Sequence, residues 1–195
     1  MKVALGAIFM VTLSMVARAD SQAADCRALA GQDAVAACSE ALHHATSGAE
    51  RAELSFARGN AYLALQQYQQ AVADFTAAIE QNAASGDAYI DRGVAYHHLH
   101  QYELAIRDYD RAIALNANLH AAYYNRALSY YRLGRFTEAW KDFDAAVKRA
   151  PADAKALYGR GLCKMHLGGG GDDDFAAAKR LDPDIADKFA REGLR

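Results

Sequence analysis

The chain has 195 residues, 52% apolar and 24% charged, with 22 Lys and Arg against 24 Asp and Glu for a formal charge of −2. That balance excludes a strongly basic nucleic-acid binder on bulk charge. With 45 alanines, few β-branched residues and only two prolines, Pro151 and Pro183, the composition excludes an all-β sandwich or barrel and leaves long stretches open to helix.

Residues 1–19 read as an address. Lys2 is a short basic start, Val3 to Ala17 carries no charge, and Ala17-Arg18-Ala19 supplies a small-x-small cleavage site. The uncharged run falls short of the roughly 18–20 apolar residues that span a bilayer. A cleavable signal peptide is therefore expected, giving a periplasmic or secreted chain with no membrane insertion after cleavage. Cleavage removes Lys2 and Arg18 and leaves 20 cations against 24 acids. Export makes a Cys26–Cys38 disulfide the natural pairing of the two close cysteines. Cys163, in an apolar helical pattern, reads as a small core residue.

Beyond this segment a 34-residue period organises the chain: Arg recurs at 58, 92, 126 and 160, with a large or aromatic residue two places before and small residues after. A second series runs in phase, Ala71, Ala105 and Ala139, each followed four residues later by Phe75, Tyr109 and Phe143 and then by Ala78, Ala112 and Ala146. Helical spacing predicts helix pairs over about 53–66 and 69–82, 87–100 and 103–116, and 121–134 and 137–149. Small residues at Gly59, Gly93 and Ala127 let paired backbones approach, and Tyr62, Tyr96 and Tyr130 join the Phe75 series as filling. Neither helix of a pair can bury its stripe alone, so stacked hairpins are expected to share one core.

These positions closely resemble the tetratricopeptide repeat family; Tyr123, Ala127, Tyr130, Ala139, Phe143, Ala146 and Pro151 match its pattern in the best unit. The resemblance implies an all-α, right-handed superhelical solenoid of stacked antiparallel helix pairs. It divides the chain into a signal peptide (1–19), an N-terminal segment with a half-repeat helix (20–51), three full repeats (52–85, 86–119, 120–153), a degenerate fourth (154–183) and a C-terminal capping helix (184–195). In the fourth, two residues are missing and Gly168–Gly171 fills the turn, with an acidic N-cap expected from Asp172–Asp174. Asp182 and Pro183 are expected as N-cap and first position of the capping helix.

No nucleophile, base and oxyanion hole assemble in the sequence, and an enzyme is not expected. His97, His98 and His100 are the one candidate for metal binding or catalysis, the alternative function, although no carboxylate or thiolate joins them at ligand spacing. Gly168–Gly171 does not suit a phosphate, because three aspartates follow it. No cofactor and no metal are expected. The Arg58, Arg92, Arg126 and Arg160 series has an acidic companion in Asp74, Asp108, Asp142 and Asp174, which predicts a structural ladder of Arg–Asp contacts between adjacent helices.

The family resemblance implies a concave groove lined by the first helix of each repeat. It places there Phe56, Asn60, Ile90, Val94, His97, Tyr124, Leu128, Tyr131, Tyr158, Leu162 and Met165. Relatives that clamp a chaperone's C-terminal carboxylate use Lys and Asn in the first repeat, Asn in the second and Lys and Arg in the third, at places occupied here by Phe56, Asn60, Asp91, Ala121 and Asn125. Asn60 alone agrees, so such a clamp is not expected. The predicted function is a periplasmic interaction scaffold that binds a protein or peptide partner, an extended apolar segment or an amphipathic helix, in an aromatic and aliphatic groove. The alternative is a groove whose side chains are covered by a neighbouring repeat or by the C-terminal helix.

Overall fold

The computed structural model describes residues 24–26 and 28–194. The expected signal peptide, residues 1–19, lies outside them. The elements in chain order are α1 (Gly31–His44), α2 (Gly48–Ala64), α3 (Tyr68–Gln81), α4 (Gly86–His98), α5 (Tyr102–Leu115), α6 (His120–Arg132), α7 (Phe136–Arg149), α8 (Ala154–His166), α9 (Asp172–Leu181) and α10 (Ile185–Arg191). The boundary between two compact units falls after Ala95, inside α4. Among the described residues no strand occurs.

In the first unit α1 is the lone helix expected before the first pair, and α2 and α3 are that pair. Helix α2 begins five residues earlier than the apolar spacing predicts. The cause is local: Ser47 Oγ accepts from the Glu50 N–H at 3.1 Å, and Glu50 Oε2 accepts from the Thr46 N–H at 2.9 Å, so two orphan donors at the helix start are satisfied reciprocally. Phe75 and Leu54 are fully buried. A Cβ added to Gly59 would stand 2.7 Å from the Phe75 ring, so the close approach of α2 and α3 depends on that glycine.

The second unit repeats the arrangement. Ala105, Ala139 and Ala127 have no exposed surface, and Tyr109 and Phe143 fill the space beside them. Gly159 lies where a Cβ would meet Phe143 at 2.5 Å, and Gly171 where one would meet the Gly161 carbonyl oxygen at 2.5 Å. The shortened turn of the fourth repeat therefore needs glycine for close packing of backbone on backbone. Its N-cap is Gly171, not an aspartate. Asp172 and Asp173 occupy the first turn of α9 while Asp174 is drawn into the interior. The capping helix likewise begins later than expected. Asp182 closes α9 as its C-cap, its carboxylate accepts from the Asp184 N–H at 3.2 Å and from Lys188 Nζ at 2.6 Å, and α10 starts at Ile185.

Four residues with left-handed or near left-handed backbone end the first helices at one phase: Gln66 (φ 58°), His100 (φ 59°), Gly134 (φ 71°) and Gly168 (φ 80°). This is the helix-ending position that favours glycine, because a Cβ is crowded there.

The Arg series is built into the interior. Arg58 Nε and Nη2 each donate at 2.7 Å to the Asp74 carboxylate, and Nη1 donates to Ser39 Oγ at 2.9 Å. Arg126 forks onto Asp142 with both distances 2.7 Å and reaches Asp110 with its third nitrogen. Arg160 forks onto Asp174 at 3.0 and 2.6 Å and donates to Asp144 at 2.8 Å. Arg92 donates to Thr76 Oγ1 at 3.0 Å, and Asp108 is buried. Each of these guanidinium groups joins its own repeat to the second helix of the repeat before. Removing Arg126 strands Asp142, a carboxylate with 6% of its surface exposed. Arg126→Ala is expected to cost about 3 kcal/mol in denaturant melts, whereas Arg135→Ala, which breaks an exposed pair with Glu138, should leave the midpoint unchanged.

Candidate partner-binding site

The predicted groove residues fall in both units. In the first, Phe56 packs on Phe75 with ring centroids 5.7 Å apart and lines a cavity of 350 Å³ with Glu53, Gln81 and Asn82. Asn60 and Val94 are half-buried, whereas Ile90 is buried in the core. Asp91, half-buried beside Ile90, has its carboxyl pushed up to about 6 by burial and by neighbouring Asp87. A reluctant acid at this place opposes an incoming carboxylate.

In the second unit α6 and α8 present an aromatic face. Tyr124, Leu128, Tyr131 and Tyr158 are half-buried and pack on one cluster whose buried members include Leu157 and Leu162. Tyr124 stands edge-on to Phe143 at 5.8 Å. The Tyr131 hydroxyl lies 2.8 Å from His166 Nε2, and the His166 ring stacks on Phe136 at 4.1 Å. Burial pushes the Tyr131 phenol up to about 12. Met165 is 49% exposed at the edge of the face. Leu162 is buried beneath it and offers a ligand little surface.

The chain's own C-terminal segment lies on this face. Ile185, Phe189 and Leu194 are buried members of the same cluster as Tyr124, Leu128, Tyr131 and Tyr158. The Phe189 and Tyr158 rings approach to 4.8 Å. The Arg132 guanidinium, at the end of α6, donates to the carbonyls of Glu192 and Gly193. In this unit the chain's own tail covers these side chains.

The three clustered histidines part company. His97 Nδ1 lies 2.9 Å from Ser129 Oγ, and its ring meets Tyr102 edge-on at 5.1 Å. His100 is the helix-ending residue of left-handed backbone, with Nδ1 2.8 Å from the Tyr102 hydroxyl. His98, held below its ordinary value by burial, feels the Glu192 carboxylate in the opposite sense. Among the described residues no group of three or more His, Cys, Asp and Glu is placed to hold a metal. Cys26 and Cys38 are joined with Cα atoms 4.5 Å apart. Cys163 is buried, and desolvation pushes its thiol up to about 12, which makes it a poor nucleophile.

The residue positions alone missed Phe136, Ser129 and the tail residues Phe189 and Leu194. A signal for the tail is present in Phe189-Ala-Arg-Glu-Gly-Leu194: Gly follows the helix and a large apolar residue follows Gly, the pattern of a helix ended by a left-handed glycine turn.

Three segments match family models described as tetratricopeptide repeat: residues 52–85, 86–119 and 124–184. No curated protein matches the chain. Among solved structures, MamA superposes with a TM-score of 0.71 at 22% identity, covering 80% of this chain and 90% of that one. YrrB, described as a tetratricopeptide-repeat protein with an unusual peptide-binding site, gives 0.66 at 24% identity over 95% and 89% of the two chains. The first such domain of Spaghetti (RPAP3), bound to the HSP90 peptide SRMEEVD, gives 0.61 at 23% identity over 62% and 96%. Likeness at these identities shows the fold, a solenoid of consecutive helix pairs.

Burial, then His98, Arg132 and His100, push the His97 imidazole down from 6.5 to about 4. A ring kept neutral in the folded state contributes stability that is present above its unfolded pKa and lost as pH falls through the folded one. Stability is expected to drop between pH 6.5 and 4 by an amount that screening limits to about 2 kcal/mol. His97→Gln should flatten that limb in melts recorded against pH.

Proposed function

Because the chain belongs to the tetratricopeptide repeat family, we propose that it is a non-enzymatic interaction scaffold, exported to the periplasm or secreted, that holds a peptide or partner helix on the aromatic face of α6 and α8. The observation that carries this reading is the apolar tail lying there, since Ile185 and Phe189 of α10 and Leu194 beyond its closing turn have the chemistry such a partner would bring. Tyrosines suit the role, because they offer large contact area at little conformational cost and a hydroxyl at the wet edge.

Support comes also from the RPAP3 domain, bound to an HSP90 peptide, and from YrrB, with its unusual peptide-binding site. The ligand differs in kind from an acidic peptide with a free carboxylate, for Asp91 occupies a place where a carboxylate clamp puts Asn. The exported location rests on residues 1–19 and on the close approach of Cys26 and Cys38. Of the described residues, no helix is long and apolar enough to cross a membrane.

Three experiments test this reading. Tyr124→Ala with Tyr158→Ala should weaken recovery of the chain's native partner by crosslinking in the source cell at least about tenfold while helicity is kept; unchanged recovery removes the face from the account. N-terminal sequencing of the chain from that cell should begin at Asp20, and reducing agent should lower its stability by about 3 kcal/mol through loss of the Cys26–Cys38 loop. A chain that begins at Met1 in the cytosol refutes the export.

A further inference from the structure

The C-terminal segment is a built local structure and more than a fraying end. Helix α10 closes with two hydrogen bonds, Gly193 N–H to Ala190 O at 3.0 Å and Leu194 N–H to Phe189 O at 3.0 Å, and Gly193 has the left-handed backbone this closure requires (φ 70°). The turn folds Leu194 back toward Phe189. Ile185, Phe189 and Leu194 then share one apolar surface, buried against the tyrosines of α6 and α8, while Asp187, Ala190, Arg191 and Glu192 are exposed. Arg132 takes the two carbonyls that the turn leaves open. The segment thus meets its site through an apolar face and a cation that reads a helix C-terminus.

We propose that α10 and its closing turn are a built-in ligand of this face, and that the partner is a protein helix of the same pattern which displaces it. The pattern is two large apolar residues four apart, then a glycine turn and a large aliphatic residue five beyond the second. Three features favour displacement over a fixed cap. Helix α10 is two turns long and tethered through the exposed Pro183–Asp184 turn. Its polar grip on α6 is the exposed side chain of Arg132, while Lys188 only ties it back to Asp182 at the end of α9. The grip falls on main-chain carbonyls that any helix C-terminus offers, so a competitor need match only Ile185, Phe189 and Leu194. An occupied site lowers the apparent affinity of every competitor by the fraction of chains that are open. The tail therefore sets a threshold that weak apolar helices do not pass.

This inference rests on the scaffold reading, and its test separates the two. The probe is a fluorescent peptide of residues 184–195, titrated by anisotropy into the chain lacking residues 1–19 and into two variants. Gly193→Val keeps every apolar side chain but places a β-branched residue in left-handed backbone; Phe189→Ser with Leu194→Ser removes the anchors. Both variants should bind the peptide about tenfold more tightly than the parent, and adding Tyr158→Ala should abolish the gain. Folded variants that bind it no better than the parent overturn the proposal.

Should the double variant lose its helicity, the parent decides. Excess unlabelled peptide must speed amide hydrogen exchange in residues 188–194 of the chain, and no acceleration at saturating peptide overturns the latch. A purely dimeric variant that exchanges tails between copies overturns it too. Failure here with loss of the native partner in the Tyr124 and Tyr158 variants refutes the latch and leaves the scaffold standing.

Discussion

The arginine fork is the constraint on which the repeat depends. A guanidinium offers two parallel donors to one carboxylate and a further donor at an angle to them. In this chain the parallel pair is spent on an aspartate of the same repeat, Asp74, Asp142 or Asp174, and the remaining donor on the second helix of the previous one, at Ser39, Asp110 or Asp144. Burying a carboxylate without such a partner is costly, so the helices can pack only in the register that brings Arg and Asp together. At Asp174 burial alone would raise the carboxyl, but hydrogen bonds from Arg160 and Lys164 outweigh it and hold the carboxyl below its ordinary value. The apolar stripes supply most of the attraction, and the fork supplies the angle.

That register fixes what each repeated place is for. The left-handed residues at 66, 100, 134 and 168 end the first helices at the same step. Read alone, His100 belonged to a histidine cluster; read in phase, it is a turn residue that happens to be histidine. His97, three places earlier, is half-buried against Ser129 and Tyr102. Two imidazoles at helical spacing look like ligands until the turn parts their polar atoms, His97 Nδ1 meeting Ser129 Oγ and His100 Nδ1 the Tyr102 hydroxyl.

The same scaffold creates and fills its own binding face. Stacking first helices of successive repeats sets Tyr124, Tyr131 and Tyr158 side by side, leaving a surface apolar enough to need cover. The chain covers it with its last helix. A terminal cap and a ligand are physically alike here, since each buries an apolar stripe and each ends in carbonyls for Arg132 to receive.

The sequence by itself determined the period, the helix pairs, the alanine and glycine contact places and the Arg–Asp partnership, because each of these recurs at 34 residues and repetition makes weak local signals add. It did not determine where α2 begins, which Ser47 and Glu50 set, nor that Asp182 ends one helix instead of starting the next. Nor could it tell that Ile90 and Leu162 lie beneath the groove surface while Tyr131 shares its hydroxyl with His166. Those facts depend on how far each neighbouring helix reaches over its predecessor, and the tail across α6 and α8 occurs once, so no repetition announces it. Tertiary structure decided them, because burial and chain reversal are properties of what packs against a residue.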